Sequence, residues 1–278
     1  MTTWLITGCS SGLGHAIATA VLDAGFNAIV TARSVDKVKE FERAYPERAL
    51  AVALDLTDKA SIAQTVALAE DHFGPIDVLI NNAGYGYRAA VEEGDEEDVA
   101  NLFATHVFGP IALIKAVLPA MRERRSGTIV NFSSIGAQFW NPGSAYYSAA
   151  KMALEGITLT LKTEVEPLGI RVLVIEPGAF RTDFAGRSLT GAKTTIADYA
   201  KTVGPRRPEN DRMHGTQPGD PKRAARLIVD TLTKESLPQR LLLGSDAARI
   251  VSQALNRQLA EIAEWEAASY STDFPNEA

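Results

Sequence analysis

Short apolar runs alternate with longer amphipathic stretches along most of the chain. Residues 4–6, 28–30, 50–52, 77–80, 128–130 and 171–175 read as buried strands, and 241–243 as a last one. Helical spacing fills the intervals at about 12–25, 35–45, 58–73, 95–122, 145–168 and 222–235. A final helix is expected at about 246–267, with Ile250, Val251, Leu255, Leu259 and Ile262 on one stripe. Strands separated by helices call for right-handed crossovers, and near-continuous apolar strands for burial on both faces. The pattern therefore predicts an α/β fold, a doubly wound parallel sheet. No break or internal repeat divides residues 1–278, so one domain is expected.

One stretch escapes the pattern. In residues 186–221, Gly186, Gly191, Gly204, Pro205, Pro208, Gly215, Pro218, Gly219 and Pro221 interrupt any periodicity, apart from a short helix near 195–201. So long a loop within a compact domain is expected to be a mobile substrate lid or else disordered.

Composition narrows the field. The 46% hydrophobic and 22% charged content supports one sizeable core and argues against disorder. A formal charge of -6 repels phosphate backbones, so neither nucleic acid nor an anionic membrane is expected as a partner. The single cysteine, Cys9, cannot form an internal disulfide or start a structural zinc site, and no metal is expected. It reads as a buried filler or as a redox switch. No leader pattern and no uninterrupted apolar run of spanning length is visible, which sets the expectation of a cytoplasmic protein with no membrane span.

Strand one runs directly into Thr7-Gly8-Cys9-Ser10-Ser11-Gly12-Leu13-Gly14, and a helix follows. Gly8, Gly12 and Gly14 let the backbone turn tightly and bring amides near a pyrophosphate, and the helix N-terminus adds partial positive charge. The spacing is G-x-x-x-G-x-G rather than G-x-G-x-x-G, and tight strand–helix packing would also use three glycines. At the end of strand two stands Arg33, where a carboxylate would favour NAD. A guanidinium suits a 2′-phosphate, so NADP is expected with NAD possible, although Asp36 nearby complicates the reading and a solvated surface arginine would look the same. Asp55 could accept from an adenine amino group or cap the next turn. Asn81-Asn82-Ala83-Gly84 closes strand four, where open α/β sheets bind ligands.

Ser134 ends strand five, and Tyr147 and Lys151 open the following helix one turn apart. A tyrosine of ordinary pKa near 10 is a poor proton shuttle, and a neighbouring cation favours its phenolate. Ser134 would donate a hydrogen bond to a substrate oxygen. By itself Tyr-x-x-x-Lys is a cheap pattern; with Ser134 and the glycine loop it becomes specific.

Together these motifs resemble the short-chain dehydrogenase/reductase family in its single-domain branch. The resemblance covers about residues 3–185. It rests on the Thr7–Gly14 loop, on Asn81 to Gly84, on Ser134, Tyr147 and Lys151, and on Pro177-Gly178 with Thr182. It implies a Rossmann-type fold, a nicotinamide cofactor held by those segments, and Tyr147 as general acid in reduction and general base in oxidation. Lys151 would bind the nicotinamide ribose and lower the tyrosine pKa, and Ser134 would orient the carbonyl or alcohol. The loop with Thr31-Ala32-Arg33 is similar to the 17β-hydroxysteroid and retinol dehydrogenase branch. A homodimer or homotetramer through helices at about 98–122 and 147–168 is implied as well. One position departs: His106 stands where many members carry a relay asparagine, and it could serve that relay or be a satisfied core histidine.

Other groups receive quieter readings. The acidic run at 92–98 is expected to be a helix N-terminus, and Arg122 to Arg125 its basic counterpart at a helix end. Phe139, Trp140 and Tyr146, with Phe180 and Phe184, form either an apolar substrate wall or simple packing. The expected partner is thus a small apolar or aromatic carbonyl or alcohol. Two rivals stand beside this reading. A non-enzymatic NADP-binding sensor would not need the Ser134, Tyr147, Lys151 set, and a methyltransferase on a similar sheet would want an acid in place of Arg33.

Overall fold

The computed structural model describes residues 1–186, 188–207 and 215–274. Of the loop anticipated at 186–221, residues 187 and 208–214, Pro208 among them, lie outside the described residues. In chain order the strands are β1 (Thr3–Ile6), β2 (Asn27–Ala32), β3 (Ala49–Ala53), β4 (Val78–Asn81), β5 (Gly86–Arg88), β6 (Gly127–Phe132), β7 (Ile170–Pro177), β8 (Leu189–Gly191) and β9 (Arg240–Leu243). Seven of them build one parallel sheet in the order β3-β2-β1-β4-β6-β7-β9. The seven runs read from the sequence are these seven strands.

Alternation along each strand divides the core in two. Trp4, Ile6, Val30, Ile80 and Val130 pack on one face with helices α1 (Gly12–Asp23) and α7 (Pro221–Leu232). Leu5, Ile29, Leu79 and Ile129 pack on the other, against α3 (Lys59–Phe73), α5 (Gly109–Arg124) and α6 (Ala145–Val165). Each such fully buried aliphatic side chain contributes roughly 1.5–3 kcal/mol of transfer free energy. Helix starts are set by acids: Asp58 accepts from Ala60 N, Asp95 from Glu97 N and Asp98 N, and Asp220 from Lys222 N. The acidic run is the N-terminus of α4 (Glu96–Phe103), as the charge pattern suggests.

Three features depart from the sequence pattern. The stretch expected as one helix at 35–45 is a 3₁₀ turn, Val35–Lys37, followed by α2 (Lys39–Ala44). The expected helix at 95–122 is α4, then a π-helical turn at Ala104–Phe108, then α5. β5 and β8 pair in parallel as a second, two-stranded sheet. The last helix, α8 (Ser245–Tyr270), runs slightly longer than its stripe predicts. Within Glu96–Arg124 an 18-residue window of mean hydropathy 1.6 is apolar enough, by length and composition alone, to cross a membrane. Lys115 hides it from a search for an unbroken apolar run. Its Leu113, Ile114, Val117 and Met121 pack into the core beside Leu79 and Ile129.

Candidate active site

β1 delivers the chain into the glycine loop at the carboxyl edge of the sheet. Gly8 and Gly12 have φ of +76° and +61°, which a side chain would strain. A Cβ on Gly14 would collide with the Gly8 carbonyl and the Asn82 amide. The loop is pinned from strand four: Thr7 Oγ1 accepts from Asn82 N and Ala83 N, each at 3.0 Å, and Asn82 Nδ2 donates to Thr7 O at 2.9 Å. Asn82 thus shapes the cradle, a role that only the doubled asparagine of the sequence hinted at. Ser11 starts α1 without a capping side-chain bond, and the first turn carries no acid. The leading amides of α1 are therefore left for an outside acceptor beside exposed Ser10 and partly exposed Ser11 and Leu13.

The flanking positions divide. Arg33 is exposed at the end of β2, and Asp36 pairs with Lys39 at 2.9 Å rather than with Arg33. Asp55 Oδ1 accepts from Thr57 N at 2.9 Å and Thr57 Oγ1 at 2.7 Å, bonds that hold its carboxyl below the usual range, with Arg33 adding to the effect. Its turn-forming role is the one visible here. Asn81, expected among the cofactor contacts, donates from its buried amide nitrogen to Asn131 Oδ1 at 2.8 Å. Asn131 passes the bonding on to Thr158 on α6, again at 2.8 Å. The next strand-end residues, Ala83 and Gly84, remain partly exposed. Pro177 and Gly178 end β7, with Gly178 N bonded to Leu243 O at 2.9 Å. Thr182 then crosses to the glycine loop, where a Cβ on Gly12 would sit 3.2 Å from the Thr182 Cβ.

The residues expected to handle the proton meet at the same edge. Ser134 Oγ accepts from Gly136 N at 3.0 Å and acts on the neighbouring Tyr147 phenol, drawing it down. Burial, the larger effect, pushes the Tyr147 phenol up to about 12. Lys151 donates to Phe132 O at 2.7 Å, and its ammonium lies 5.8 Å from the centre of the Tyr147 ring. Burial brings Lys151 down to about 7, with Glu155 pulling the other way. The expected low-pKa phenol is thus not a property of the protein alone, because desolvation favours both neutral forms.

His106 is brought in by the π-helical turn, its ring edge-on to Tyr147 at 5.6 Å. Burial and the Lys151 charge hold it well below its ordinary range, so the ring is neutral. Nε2 lies 2.8 Å from Tyr85 O, and Nδ1 is buried with no hydrogen-bond partner among the described residues. Gly84 makes room for the ring, since a Cβ there would strike it.

The aromatic wall is smaller than its sequence suggests. Phe184 lies 6.0 Å from Tyr147, whereas Tyr146 turns away to donate to Val91 O and pack on Tyr87. Phe180 belongs to the core, and Trp140 is 58% exposed. Residues 188–207 are tied to the acidic run. Glu93 accepts from Ile196 N at 2.8 Å and from Arg207 Nη2 at 2.7 Å, Lys193 pairs with Asp95 at 3.3 Å, and Tyr199 bonds Glu92 at 2.7 Å. The acids read from the sequence as a helix start therefore also dock this segment.

A glycine loop, a serine at a strand end and a tyrosine one turn before a lysine, gathered at one edge of a doubly wound sheet, define a dehydrogenase-type site. Comparison agrees: the model of the short chain dehydrogenase family matches residues 2–192, and the chain belongs to that family as an oxidoreductase. It is 38% identical over 263 residues to oxidoreductase BOA17 of Botryotinia fuckeliana, covering 94% of this chain and 96% of that one. The crystal structure of a short-chain dehydrogenase from Streptomyces avermitilis superposes with a TM-score of 0.92 at 44% identity, covering 98% of this chain and all of the other. A metagenomic short-chain oxidoreductase solved in complex with NADP superposes at 0.69 with 25% identity, covering 87% and 96%.

Proposed function

We propose that the protein is an NADP-preferring reductase or dehydrogenase that interconverts a small apolar alcohol with its ketone or aldehyde. The observation that carries this is Tyr147 held beside Ser134 and Lys151 at the edge where the glycine loop opens. The cradle fits a dinucleotide: uncapped α1 amides would take the pyrophosphate, and exposed Arg33 the 2′-phosphate. Gly8, Ser10, Ser11, Gly12, Leu13, Gly14, Ala83, Gly84, Pro177, Gly178 and Thr182 would line it. The NADP found with the metagenomic relative supports the same choice. When bound, the nicotinamide gives or takes the hydride and, oxidised, brings a positive charge.

The chain's own residues do the rest. Ser134 orients the substrate oxygen, and Tyr147 gives it a proton in reduction or takes one in oxidation. Lys151, as ammonium, offsets the cost of the buried phenolate. His106, neutral and with a buried Nδ1 that has no partner among the described residues, would relay protons for this group. Residues 188–207 close over the substrate, and the family's helical faces would pair copies of the chain.

The test is turnover of ketones and aldehydes with NADPH. Tyr147→Phe is expected to lower kcat by at least roughly a hundredfold while leaving the Kd of NADPH, read by its fluorescence, nearly unchanged. Full activity in that variant would remove the assignment.

A further inference from the structure

Beneath the site lies a group of buried charges that the reaction scheme leaves unused. Glu155 is 5% exposed and stands one helical turn after Lys151 on α6. It accepts from Ser133 Oγ at 2.5 Å and Gln138 Nε2 at 2.9 Å, and it pairs with Arg240 of β9 at 3.4 Å. Ser133 precedes Ser134, and Gln138 ends the turn that follows it. One carboxylate therefore grips both sides of the Ser134 loop and fastens it to the helix carrying Tyr147 and Lys151. A buried carboxylate is costly unless it is fully bonded, and this one meets that demand through the catalytic loop.

We propose that Glu155 is a positioning residue of the reaction, holding Ser134 in register with Tyr147 and supplying the counter-charge beside Lys151. The inference rests on the oxidoreductase reading above. The charges around it come from every neighbouring element. Tyr147 and Lys151 share α6, Arg240 stands on β9, and neutral His106 sits in the π-helical turn. On β7, Glu176 is fully buried, pairs with Arg240 at 2.9 Å and is pushed by burial, then by Glu155, up to about 7. From α8, Asp246 is occupied by Ala179 N and Arg257 by the Phe139 ring. Glu155 is the anion that raises the Lys151 pKa against burial. Removing its charge leaves less ammonium at neutral pH, so Tyr147 holds its proton more tightly.

The experiment uses the full chain with NADPH and a ketone or aldehyde that the wild type reduces, and with NADP and the matching alcohol. Glu155→Gln keeps the shape and removes the charge. It is expected to lower kcat about tenfold, to change the KM of the cofactor less than about threefold, and to move the pH profile of alcohol oxidation about one unit alkaline. Glu155→Asp, which restores the charge, is expected to return the profile toward the wild type. Gln138→Ala, which cuts only the loop bond, is expected to lower kcat without moving the profile. Wild-type kcat and an unmoved profile in a folded Glu155→Gln would overturn the inference. So would a loss of the thermal transition in both Glu155 variants, which would mark the residue as purely structural. If the wild type itself turns over no carbonyl compound with NADPH, the oxidoreductase reading falls first and this inference with it.

Discussion

Tyr147 and Lys151 sit one turn apart, and burial drives their protons in opposite directions, up to about 12 for the phenol and down to about 7 for the amine. Each shift removes charge from a poorly solvated place. On the proposed reading the pair would be charged again by company, Glu155 favouring the ammonium and a bound oxidised nicotinamide favouring the phenolate. Arg33 is the opposite case, an exposed cation whose neighbour in sequence, Asp36, is taken by Lys39. A charge-assisted bond to a phosphate contributes about 1.5–3 kcal/mol, so Arg33→Asp is expected to weaken NADPH binding roughly tenfold to a hundredfold. Affinity for NADH should hold or improve. Parallel fluorescence titrations check this, and equal losses for both cofactors would remove Arg33 from the phosphate site.

At the scale of elements, residues 188–207 dock on the acidic run, and on the proposed reading this docking would set how the substrate is covered. Glu93 is nearly buried, and its bonds to Ile196 N and Arg207 bring its carboxyl down to about 2. A depressed carboxyl stabilises the folded arrangement above its ordinary value near 4.5 and loses that contribution as pH falls toward 2. Glu93→Gln is expected to expose residues 192–207 to limited proteolysis at neutral pH and to raise substrate KM more than it lowers kcat. Wild-type cleavage rates would show that β5–β8 pairing with the Lys193–Asp95 and Tyr199–Glu92 contacts holds the segment without Glu93.

Legibility in the sequence followed the physics of each element. The seven sheet strands were readable because burial on both faces writes continuous apolar runs. β5 and β8, three residues each, are too short to write any period. The π-helical turn was hidden because it only shifts the phase of an otherwise helical stripe. Ser134, Tyr147 and Lys151 were legible as local spacings. Glu155 was not, since an acid on an amphipathic helix looks solvated until Ser133, Gln138 and Arg240 are seen around it. The bond from Asn81 was equally hidden: its partner, Asn131, comes from β6 and lies fifty residues away.

For the molecule as a whole, Lys151 is a stability cost retained at the site. An amine whose folded pKa lies below its unfolded value of 10.5 costs nothing above that pH. The cost builds as pH falls to about 7 and is complete below. Lys151→Met is therefore expected to melt a few degrees higher than the wild type near pH 6, with the gap closing at about pH 10, and to lose turnover. Calorimetric melts across that range check it; a constant gap would point to packing rather than charge.

The strand order also orders events during synthesis. β1 lies inside the sheet yet comes first in the chain, so the loop at Gly8 to Gly14 emerges early, before β4 exists to flank it. Thr182, which rests against Gly12, follows roughly ten to thirty seconds later at ordinary elongation rates. Until then a nascent chain has a nucleotide cradle open on one side, and a cofactor can be fully enclosed only once translation is well past the midpoint.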